Sequence, residues 1–384
     1  ERGRAQVTRQ SRGEADGADR EDEGGCDQER PQERQRAPEA GRPETLAVPH
    51  AACIGPHKVE FERARVQSAA VELDVVFLGT SGSMPTARRA LPATLVRRGG
   101  DRLLVDCSEG TQRQLLRSDV GLVELEEVFL THYHADHYLG LPGMLKTFAL
   151  RGRELPLTVY GPPGLDDLMA TLRRVFGRLT YPLRTVELEA GERLERDGYA
   201  IETVAVEHGV SAVGYAFVEE GRPGRFDVEV ADRLGVPAGR ERGVLQRGES
   251  VTLADGRVVR PEDVLGAPRA GRKVVLTGDT APCAAVVEAA AGADLLVHEA
   301  TFLADERPRA RETSHSTAAE AALAAREAGV KLLALTHVSA RYFAHQVVDE
   351  ATQLFPATVV PRDFDLVTIP FPERGEPELV RSGA

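Results

Sequence analysis

Short apolar runs, four to eight residues each, recur along this chain and limit the folds it can adopt. Strands covered on both faces read as continuous apolar runs, whereas strands with one face in water alternate apolar and polar residues. Segments of helical or loop composition separate the runs, which favours an α/β protein with buried sheets. The runs lie at residues 71–78, 102–105, 127–130, 157–160, 201–206, 273–276, 294–297 and 332–335. The clearest helix pattern lies at 316–328, between an N-cap at Ser316 or Thr317 and a stop at Gly329.

A dense group of metal-binding side chains follows one of these runs. The run at 127–130 leads into His132-Tyr-His134-Ala-Asp136-His137, which holds four potential ligands within six residues. Alternate residues leaving a strand end place His132 and His134 on one side. The turn that follows can bring Asp136 and His137 to a second, adjacent centre. Imidazole and carboxylate without thiolate suit a catalytic Zn²⁺ site with positions open to water, and a polar surface turn is the competing interpretation.

Three further runs end close to another potential ligand. The run at 201–206 precedes His208, the run at 273–276 precedes Asp279, and the run at 332–335 precedes His337. Side chains at the carboxyl ends of strands can meet at one edge of a sheet, so we expect these three to join the first four. Each taken alone would be an ordinary loop residue. Together the seven side chains predict a site for two metal ions.

Length and composition bound the organisation of the chain. Its 384 residues suffice for a large α/β domain, and no apolar run approaches the roughly 20 residues that a membrane helix needs. Residues 1–70 are polar and charged, which predicts a disordered tail, and they lack the apolar core of a secretory signal. We therefore expect a cytoplasmic protein without a membrane segment. The four cysteines form no CxxC pair and are expected to be reduced thiols.

The charge of the chain restricts how it can hold a nucleic acid. The net charge of −12 argues against a broad nucleic-acid footprint, because phosphate binding relies on clustered lysine and arginine. Any RNA contact must be local. Residues 219–248 interrupt the α/β pattern with glycine, proline and charge. They are predicted to leave the core as an excursion between two halves at 71–210 and 250–370.

Several motifs together resemble one family. The HxHxDH cluster, Gly278-Asp279 after a strand and the late Thr336-His337 are similar to the metallo-β-lactamase superfamily. Further motifs narrow the resemblance to tRNase Z; they are Phe77-Leu-Gly-Thr80, Asp106 with Glu109-Gly-Thr-Gln112, Thr277-Gly-Asp-Thr280, His298-Glu-Ala-Thr-Phe302, His315-Ser-Thr317 and Thr336-His-Val-Ser-Ala-Arg-Tyr342. The resemblance implies an αββα sandwich of the metallo-β-lactamase type at residues 71–370. It also implies a protruding flexible arm at 219–248 and leaves 371–384 as a C-terminal tail.

The resemblance also implies how the site works. It assigns His132, His134 and His208 to one zinc ion, and Asp136, His137 and His337 to another, with Asp279 bridging the two; manganese is the alternative metal. Two such ions activate water and neutralise charge at a phosphate, which is the chemistry of phosphodiester hydrolysis. Asp136 is implied as a proton acceptor, His315 as a proton donor or phosphate contact, and Glu299 as the residue that orients His315. Asp106 is expected to brace a ligand histidine.

The substrate implied by the resemblance is precursor tRNA. A homodimeric endoribonuclease would remove the 3′ trailer and leave a 3′-hydroxyl for CCA addition. The arm departs from the family pattern at Ala238-Gly-Arg-Glu-Arg-Gly243, where a Gly-Pro pair and basic residues are usual. The arginines expected to contact RNA are Arg88 and Arg89 in a loop near the site, Arg222, Arg225, Arg240 and Arg242 on the arm, and Arg341.

Two other functions fit the same residues. One is a hydrolase of the same superfamily that acts on small phosphodiesters or thioesters, which would share the metal site and need no arm. The other is a non-catalytic RNA-binding or zinc-storage protein. The presence of His315 weighs against storage, because a storage site favours closed ligand shells without a proton donor.

Overall fold

The computed structural model describes residues 71–122 and 125–383. The predicted disordered tail, residues 1–70, lies outside these ranges. The strands of the described part are β1 Leu73–Gly79, β2 Ser81–Gly82, β3 Ala93–Arg98, β4 Asp101–Val105, β5 Glu127–Phe129, β6 Leu157–Gly161, β7 Leu183–Glu187, β8 Arg193–Arg196, β9 Tyr199–Ala205, β10 Val213–Glu219, β11 Val251–Thr252, β12 Val258–Val259, β13 Lys273–Leu276, β14 Leu295–Glu299, β15 Leu332–Thr336, β16 Val338–Ser339, β17 Thr358–Val359, β18 Leu366–Thr368 and β19 Glu378–Val380. Its helices are α1 Thr111–Arg117, α2 Ala135–Tyr138, α3 Leu141–Leu150, α4 Leu165–Phe176, α5 Val228–Leu234, α6 Arg240–Gln246, α7 Pro261–Val264, α8 Ala284–Ala289, α9 Arg307–Glu312, α10 Ala318–Ala328 and α11 Ala344–Thr352, with a 3₁₀ turn at Ala304–Glu306.

Two large sheets face each other across the core. The first has the strand order β19-β18-β1-β3-β4-β5-β6-β7, and the second has the order β17-β15-β14-β13-β10-β9-β8. Phe129 of the first sheet packs edge-on against Tyr215 of the second, with ring centroids 5.2 Å apart. Helices α1, α3 and α4 cover the outer face of the first sheet, and α8, α10 and α11 cover that of the second. The predicted αββα sandwich is therefore confirmed.

Strand β1 shows why the predicted runs are apolar at every position. Val75 and Phe77 point between the sheets, while Val76 and Leu78 point towards the helices. All four are buried. Successive side chains of a strand alternate between faces, so a strand covered on both sides needs an apolar residue at each position. Each of the eight predicted runs is a strand whose bounds differ from the prediction by at most two residues.

The predicted helix at 316–328 is α10, which begins two residues later than its pattern. Thr317 is its N-cap, and its Oγ1 accepts a hydrogen bond of 3.2 Å from the Glu320 amide. The Glu320 carboxylate in turn accepts the Thr317 amide at 3.0 Å, which completes a capping box. Gly329 ends the helix with φ of 63°, a left-handed conformation that glycine adopts without strain.

The excursion is longer than its sequence pattern predicted. Strand β10 ends at Glu219 and β13 begins at Lys273, so residues 220–272, here called the arm, lie between them. The arm contains α5, α6, α7 and the β11–β12 pair around a small core of its own, formed by Ala231, Val236, Leu245, Val251, Val259 and Val264. The apolar residues after Gly248 complete this small core instead of joining the sheets. The second half of the sandwich therefore starts at β13 and not near residue 250.

The segment predicted as a C-terminal tail contributes a strand. β19 pairs antiparallel with β18 at the edge of the first sheet, where Leu379 lies opposite Val367. Arg381 then forms an ion pair of 2.5 Å with the buried carboxylate of Asp365. Within the described ranges, no helix combines the length and apolar character required to cross a membrane.

Candidate metal centre

The seven predicted ligands meet at one edge of the sandwich. His132 and His134 follow β5, Asp136 and His137 lie on α2, His208 follows β9, Asp279 follows β13, and His337 follows β15. In the second sheet β13 and β15 are parallel to β14, and β9 runs the same way because β10 reverses direction between β9 and β13. The carboxyl ends of all three ligand-bearing strands therefore lie at the same edge.

The first group of ligand atoms comes from three histidines. His132 Nε2 lies 3.0 Å from His134 Nδ1, and His208 Nε2 lies 3.1 Å from the same atom. Asp279 Oδ2 is 3.8 Å from His132 Nε2. Ligands at about 2.0–2.1 Å from a tetrahedral zinc ion are about 3.4 Å apart, so these separations fit one ion.

The second group has the same spacing. His137 Nε2 and His337 Nε2 are 3.4 Å apart, and Asp136 Oδ2 lies 3.5 Å from His337 Nε2. Asp279 Oδ2 is 3.3 Å from the Nε2 atoms of both histidines. The carboxylate of Asp279 therefore stands between the two groups, where a bridging ligand is expected.

Four of the candidate ligand histidines have their other ring nitrogen fixed by an oxygen. Nδ1 of His132 lies 3.1 Å from Thr131 Oγ1, that of His137 lies 2.8 Å from Asp106 Oδ2, that of His208 lies 3.0 Å from the Ser314 carbonyl, and that of His337 lies 2.8 Å from Thr301 Oγ1. Such outer partners set the tautomer and turn Nε2 towards the metal. Asp106 lies where the sequence placed a brace for a ligand histidine.

Two of the candidate ligands have protonation states that suit metal binding. Burial and the nearby ring of His137 lower the pKa of His132 to about 2, so this imidazole is neutral. Burial raises the pKa of Asp279, but His337 and His137 outweigh burial and lower it, so this carboxylate is ionised. Asp279 Oδ1 is buried without a hydrogen-bond partner among the described residues. A buried oxygen of this kind calls for a further partner, which a bound cation would supply.

A loop that the sequence did not assign to the site closes over the second group. The Ser83 amide donates a hydrogen bond of 2.9 Å to Asp136 Oδ2. A Cβ at Gly82 would lie 2.4 Å from His337 Nδ1, so only glycine lets the loop pass this close. His337 itself has φ of 54°, a strained backbone conformation for a residue with a Cβ. The available sequence signal was the run of small residues that begins at the end of β1, Gly79-Thr-Ser-Gly-Ser83.

His315 and Glu299 form a pair beside the ligands. His315 Nδ1 lies 2.7 Å from Glu299 Oε1 and 3.9 Å from Asp279 Oδ2. Burial lowers the pKa of His315, but the Glu299 carboxylate outweighs burial and raises it to about 9. Glu299 is itself held by Thr301, whose Oγ1 donates to Oε2 at 2.5 Å. The carboxylate therefore fixes the position of the His315 ring and favours its protonated form.

Four of the seven arginines expected to contact RNA are occupied within the protein. Arg89 donates to Thr80 Oγ1 and the Pro361 carbonyl, Arg222 to Glu373, Arg242 to Asp232 and the Val236 carbonyl, and Arg341 to Glu306. Arg88, Arg225 and Arg240 are exposed, and their side chains make no hydrogen bond or ion pair with other described residues. Of the seven predicted arginines, these three are the ones left available for phosphate.

The chain is similar to proteins of one family. The metallo-beta-lactamase superfamily matches residues 89–217, and the beta-lactamase superfamily domain matches residues 245–338. The ribonuclease Z of Myxococcus xanthus is 52% identical over 271 residues, which make up 70% of this chain and 88% of that protein. The chain belongs to the ribonuclease Z family. The ribonuclease Z of Methanosarcina acetivorans is 42% identical over 302 residues, 78% of this chain and 99% of that protein.

Solved structures agree with this family. The short form of human tRNase Z has a TM-score of 0.55 and 26% identity, covering 78% of this chain and 99% of that chain. The metallo-beta-lactamase fold protein YhfI from Bacillus subtilis has a TM-score of 0.57 at 20% identity, covering 78% of this chain and 100% of that chain, a likeness of fold alone. The predicted fold and the prediction of an endoribonuclease of the tRNA 3′-processing type are therefore confirmed.

Proposed function

We propose that this member of the ribonuclease Z family removes the 3′ trailer from precursor tRNA with two Zn²⁺ ions and leaves a 3′-hydroxyl on the tRNA. The observation that carries the proposal is the pair of ligand groups that share Asp279. His132, His134 and His208 would hold one ion, and Asp136, His137 and His337 the other, with Asp279 contacting both. When bound, such ions activate water and offset the negative charge of a phosphate.

Asp136 is the proposed proton acceptor. Its side chain is partly exposed, whereas the other carboxylate of the ligand set, Asp279, is buried. The hydrogen bond from the Ser83 amide holds Oδ2 in place. Asp136 can therefore take the proton of the water that attacks phosphorus.

His315 is the proposed proton donor. In a cleavage that leaves a 3′-hydroxyl, the bond between phosphorus and the 3′ oxygen breaks, and that oxygen needs a proton. The Glu299 carboxylate raises the pKa of His315, which favours the imidazolium form, and it holds the ring through Nδ1. His315 is therefore suited to donate from Nε2, which makes no hydrogen bond to the described residues.

The arm is the proposed second contact with the tRNA body. Two arginines of the predicted set on the arm, Arg225 and Arg240, are exposed and have no partner in the described structure. Their guanidinium groups are suited to bind phosphate oxygens. The homodimer remains a prediction from the resemblance. A measurement of the molecular mass in solution tests it. The cytoplasmic location likewise stays a prediction.

Metal analysis and cleavage mapping on one preparation test the proposal. We expect two zinc ions per chain and one cut in a precursor tRNA, with a 3′-hydroxyl on the tRNA fragment. If manganese is found in place of zinc, the proposed metal is wrong but the proposed ligand residues stand. A chain that hydrolyses a small phosphodiester but leaves precursor tRNA intact would favour the small-substrate hydrolase.

Replacing part of the arm gives a second test between cleavage of precursor tRNA and hydrolysis of small phosphodiesters. The replacement should run from 223 to 268, because Arg222 and Arg269 are paired at its base. Deleting 219–248 instead would remove Glu219, the buried partner of Arg272. We expect the shortened enzyme to keep small-phosphodiester turnover and to lose affinity for precursor tRNA.

A further inference from the structure

The two ends of the arm are joined where it leaves the sandwich. Arg222 and Arg269 form an antiparallel bridge, with amide-to-carbonyl hydrogen bonds of 2.7 Å and 2.9 Å. Farther out, Phe226 and Leu265 form a second bridge. The direction of the arm therefore depends on how this narrow base is held against the sheets.

One carboxylate outside the arm binds both strands of its base. Glu373 Oε1 accepts hydrogen bonds of 2.8 Å from Nη1 of Arg222 and of 2.8 Å from Nη1 of Arg269. Glu373 Oε2 accepts a third, of 2.9 Å, from Arg222 Nη2. Paired hydrogen bonds between a guanidinium and a carboxylate fix orientation as well as distance.

The ring of Phe371 connects this contact to the interior. The Arg222 guanidinium lies 3.5 Å from the ring centroid, and that of Arg272 lies 4.0 Å from it. Arg272 is buried and donates to both carboxylate oxygens of Glu219, at 2.7 Å each. A surface arginine of the arm is thereby linked through one ring to a buried ion pair of the second sheet.

The segment that carries Phe371 and Glu373 is itself held at both ends. It follows β18 and precedes β19, which pair with each other in the first sheet. Pro370 and Pro372 flank the phenylalanine and restrict its backbone. The Arg374 amide donates to the Phe371 carbonyl at 2.7 Å and closes a tight turn. Glu373 therefore projects from a rigid support.

We propose that Phe371 and Glu373 form a brace that sets the direction of the arm, and that Glu373 thereby acts as a positioning residue for precursor tRNA. The proposal rests on the arm contact proposed above. A tRNA that touches both the metals and a remote arm is sensitive to the angle between them. A small substrate that reaches only the metals is not.

Glu373→Gln tests the brace, because it keeps the shape of the side chain and removes its charge. We expect KM for precursor tRNA to rise about three- to fivefold with little change in kcat, the size expected from losing a half-exposed ion pair. Turnover of a chromogenic phosphodiester should not change. The backbone amides of Arg222 and Arg269 should exchange hydrogen faster by a similar factor.

Glu376→Ala is the matched control, since Glu376 lies three residues along the same segment and pairs only weakly with Lys331, at 3.8 Å. It should leave KM and hydrogen exchange unchanged. A charge exchange gives a second check: Arg222→Glu alone should raise KM, and Arg222→Glu with Glu373→Arg should recover part of the loss.

Two outcomes would overturn the brace. One is wild-type KM and wild-type exchange in Glu373→Gln. The other is an equal loss of turnover on both substrates. This result would show that Glu373 stabilises the sandwich as a whole and does not orient the arm. If the unmodified enzyme leaves precursor tRNA intact, the proposed function fails, whereas hydrogen exchange at the arm base still decides whether Glu373 holds it.

Discussion

Asp279 is the residue on which both ligand groups depend. Its Oδ2 lies 3.3 Å from Nε2 of both His137 and His337 and 3.8 Å from that of His132. We expect Asp279→Ala to lose both zinc ions. Phosphodiesterase turnover should fall at least about 100-fold, since even partners one step removed from a metal cost about 10- to 100-fold. The fold should survive, because the remaining histidines can become neutral.

Zinc content per chain, turnover of a chromogenic phosphodiester and the Tm measure these effects. Asp197→Ala removes an exposed carboxylate from the turn between β8 and β9 and serves as the control. A mutant of Asp279 that retained two zinc ions and near-normal turnover would show that the ligand assignment is wrong.

His315→Ala separates proton donation from metal binding. A general acid contributes about 10²- to 10⁴-fold to turnover, and chiefly where the leaving oxygen is strongly basic. We expect kcat on precursor tRNA to fall within this range, with a much smaller loss on a p-nitrophenyl ester, whose leaving group needs no proton. Glu299→Gln should give a smaller loss, because glutamine can still hold the ring but cannot stabilise its charge.

Zinc content distinguishes the two roles that the position of His315 allows. His315 lies close enough to Asp279 and His337 for the three to form a third possible ligand group. Unchanged zinc in His315→Ala, together with the dependence on the leaving group, would support proton donation. A fall in zinc content would make His315 a ligand instead.

The seven candidate ligands could be identified from sequence because each is a metal-binding side chain that follows a strand end or, like Asp136 and His137, lies in the cluster after one. The groups that fix them were less accessible. The oxygen that holds His208 is the backbone carbonyl of Ser314, 106 residues away. Any residue could supply a carbonyl, so residue type gives no signal. Thr301, by contrast, lies within a motif that the resemblance had marked.

At the scale of elements, the arm shows what a break in pattern can and cannot predict. The loss of sustained apolar runs after Glu219 coincides with the end of β10. The end of the arm, where the chain rejoins the sandwich, was predicted too early. The cause is that Val251, Val259 and Val264 lie in short apolar segments that resemble those of the sheet strands. Only their packing against Ala231 and Leu245 assigns them to the arm.

Replacing only the unpartnered arginines of the arm tests its contact with RNA more sharply than replacing all four predicted arginines. Arg222 and Arg242 have partners within the protein, so replacing them would disturb the arm itself. We expect Arg225→Ala with Arg240→Ala to raise KM for precursor tRNA severalfold and to leave small-substrate turnover unchanged. This is the pattern of lost uniform binding.

A double mutant outside the arm controls for net charge. Arg173→Ala with Arg184→Ala removes the same charge from exposed positions on α4 and β7. An equal rise in KM in both double mutants would mean that total charge matters and position does not. Equal losses on tRNA and on the small substrate would place the arm arginines in the catalytic architecture.

At the scale of the whole molecule, the positions of the strands in the sequence were easier to predict than the order in which the strands pair in the two sheets. Strands such as β1 and β14 are buried on both faces, so their sequences mark a buried strand without marking which sheet it joins. Strands β18 and β19 are three residues each and gave no periodic signal. The pairing of the sheets follows from packing between residues far apart in sequence, which a reading of local pattern does not contain.

The net charge of −12 leads to a prediction for the whole enzyme. An acidic protein that holds an acidic substrate must rely on a few arginines, because its broader surface repels phosphate. Each phosphate contact adds about 0.7 to 0.9 to the slope of log affinity against log salt, so a few contacts should give a slope of about 2 to 4. Titrating mature tRNA against the enzyme over a range of potassium chloride concentrations measures this slope. Arg225→Ala with Arg240→Ala should lower the slope by about 1.4 to 1.8, two contacts' worth. A slope near 10, as a broad basic surface gives, would contradict the view that RNA is held by local contacts.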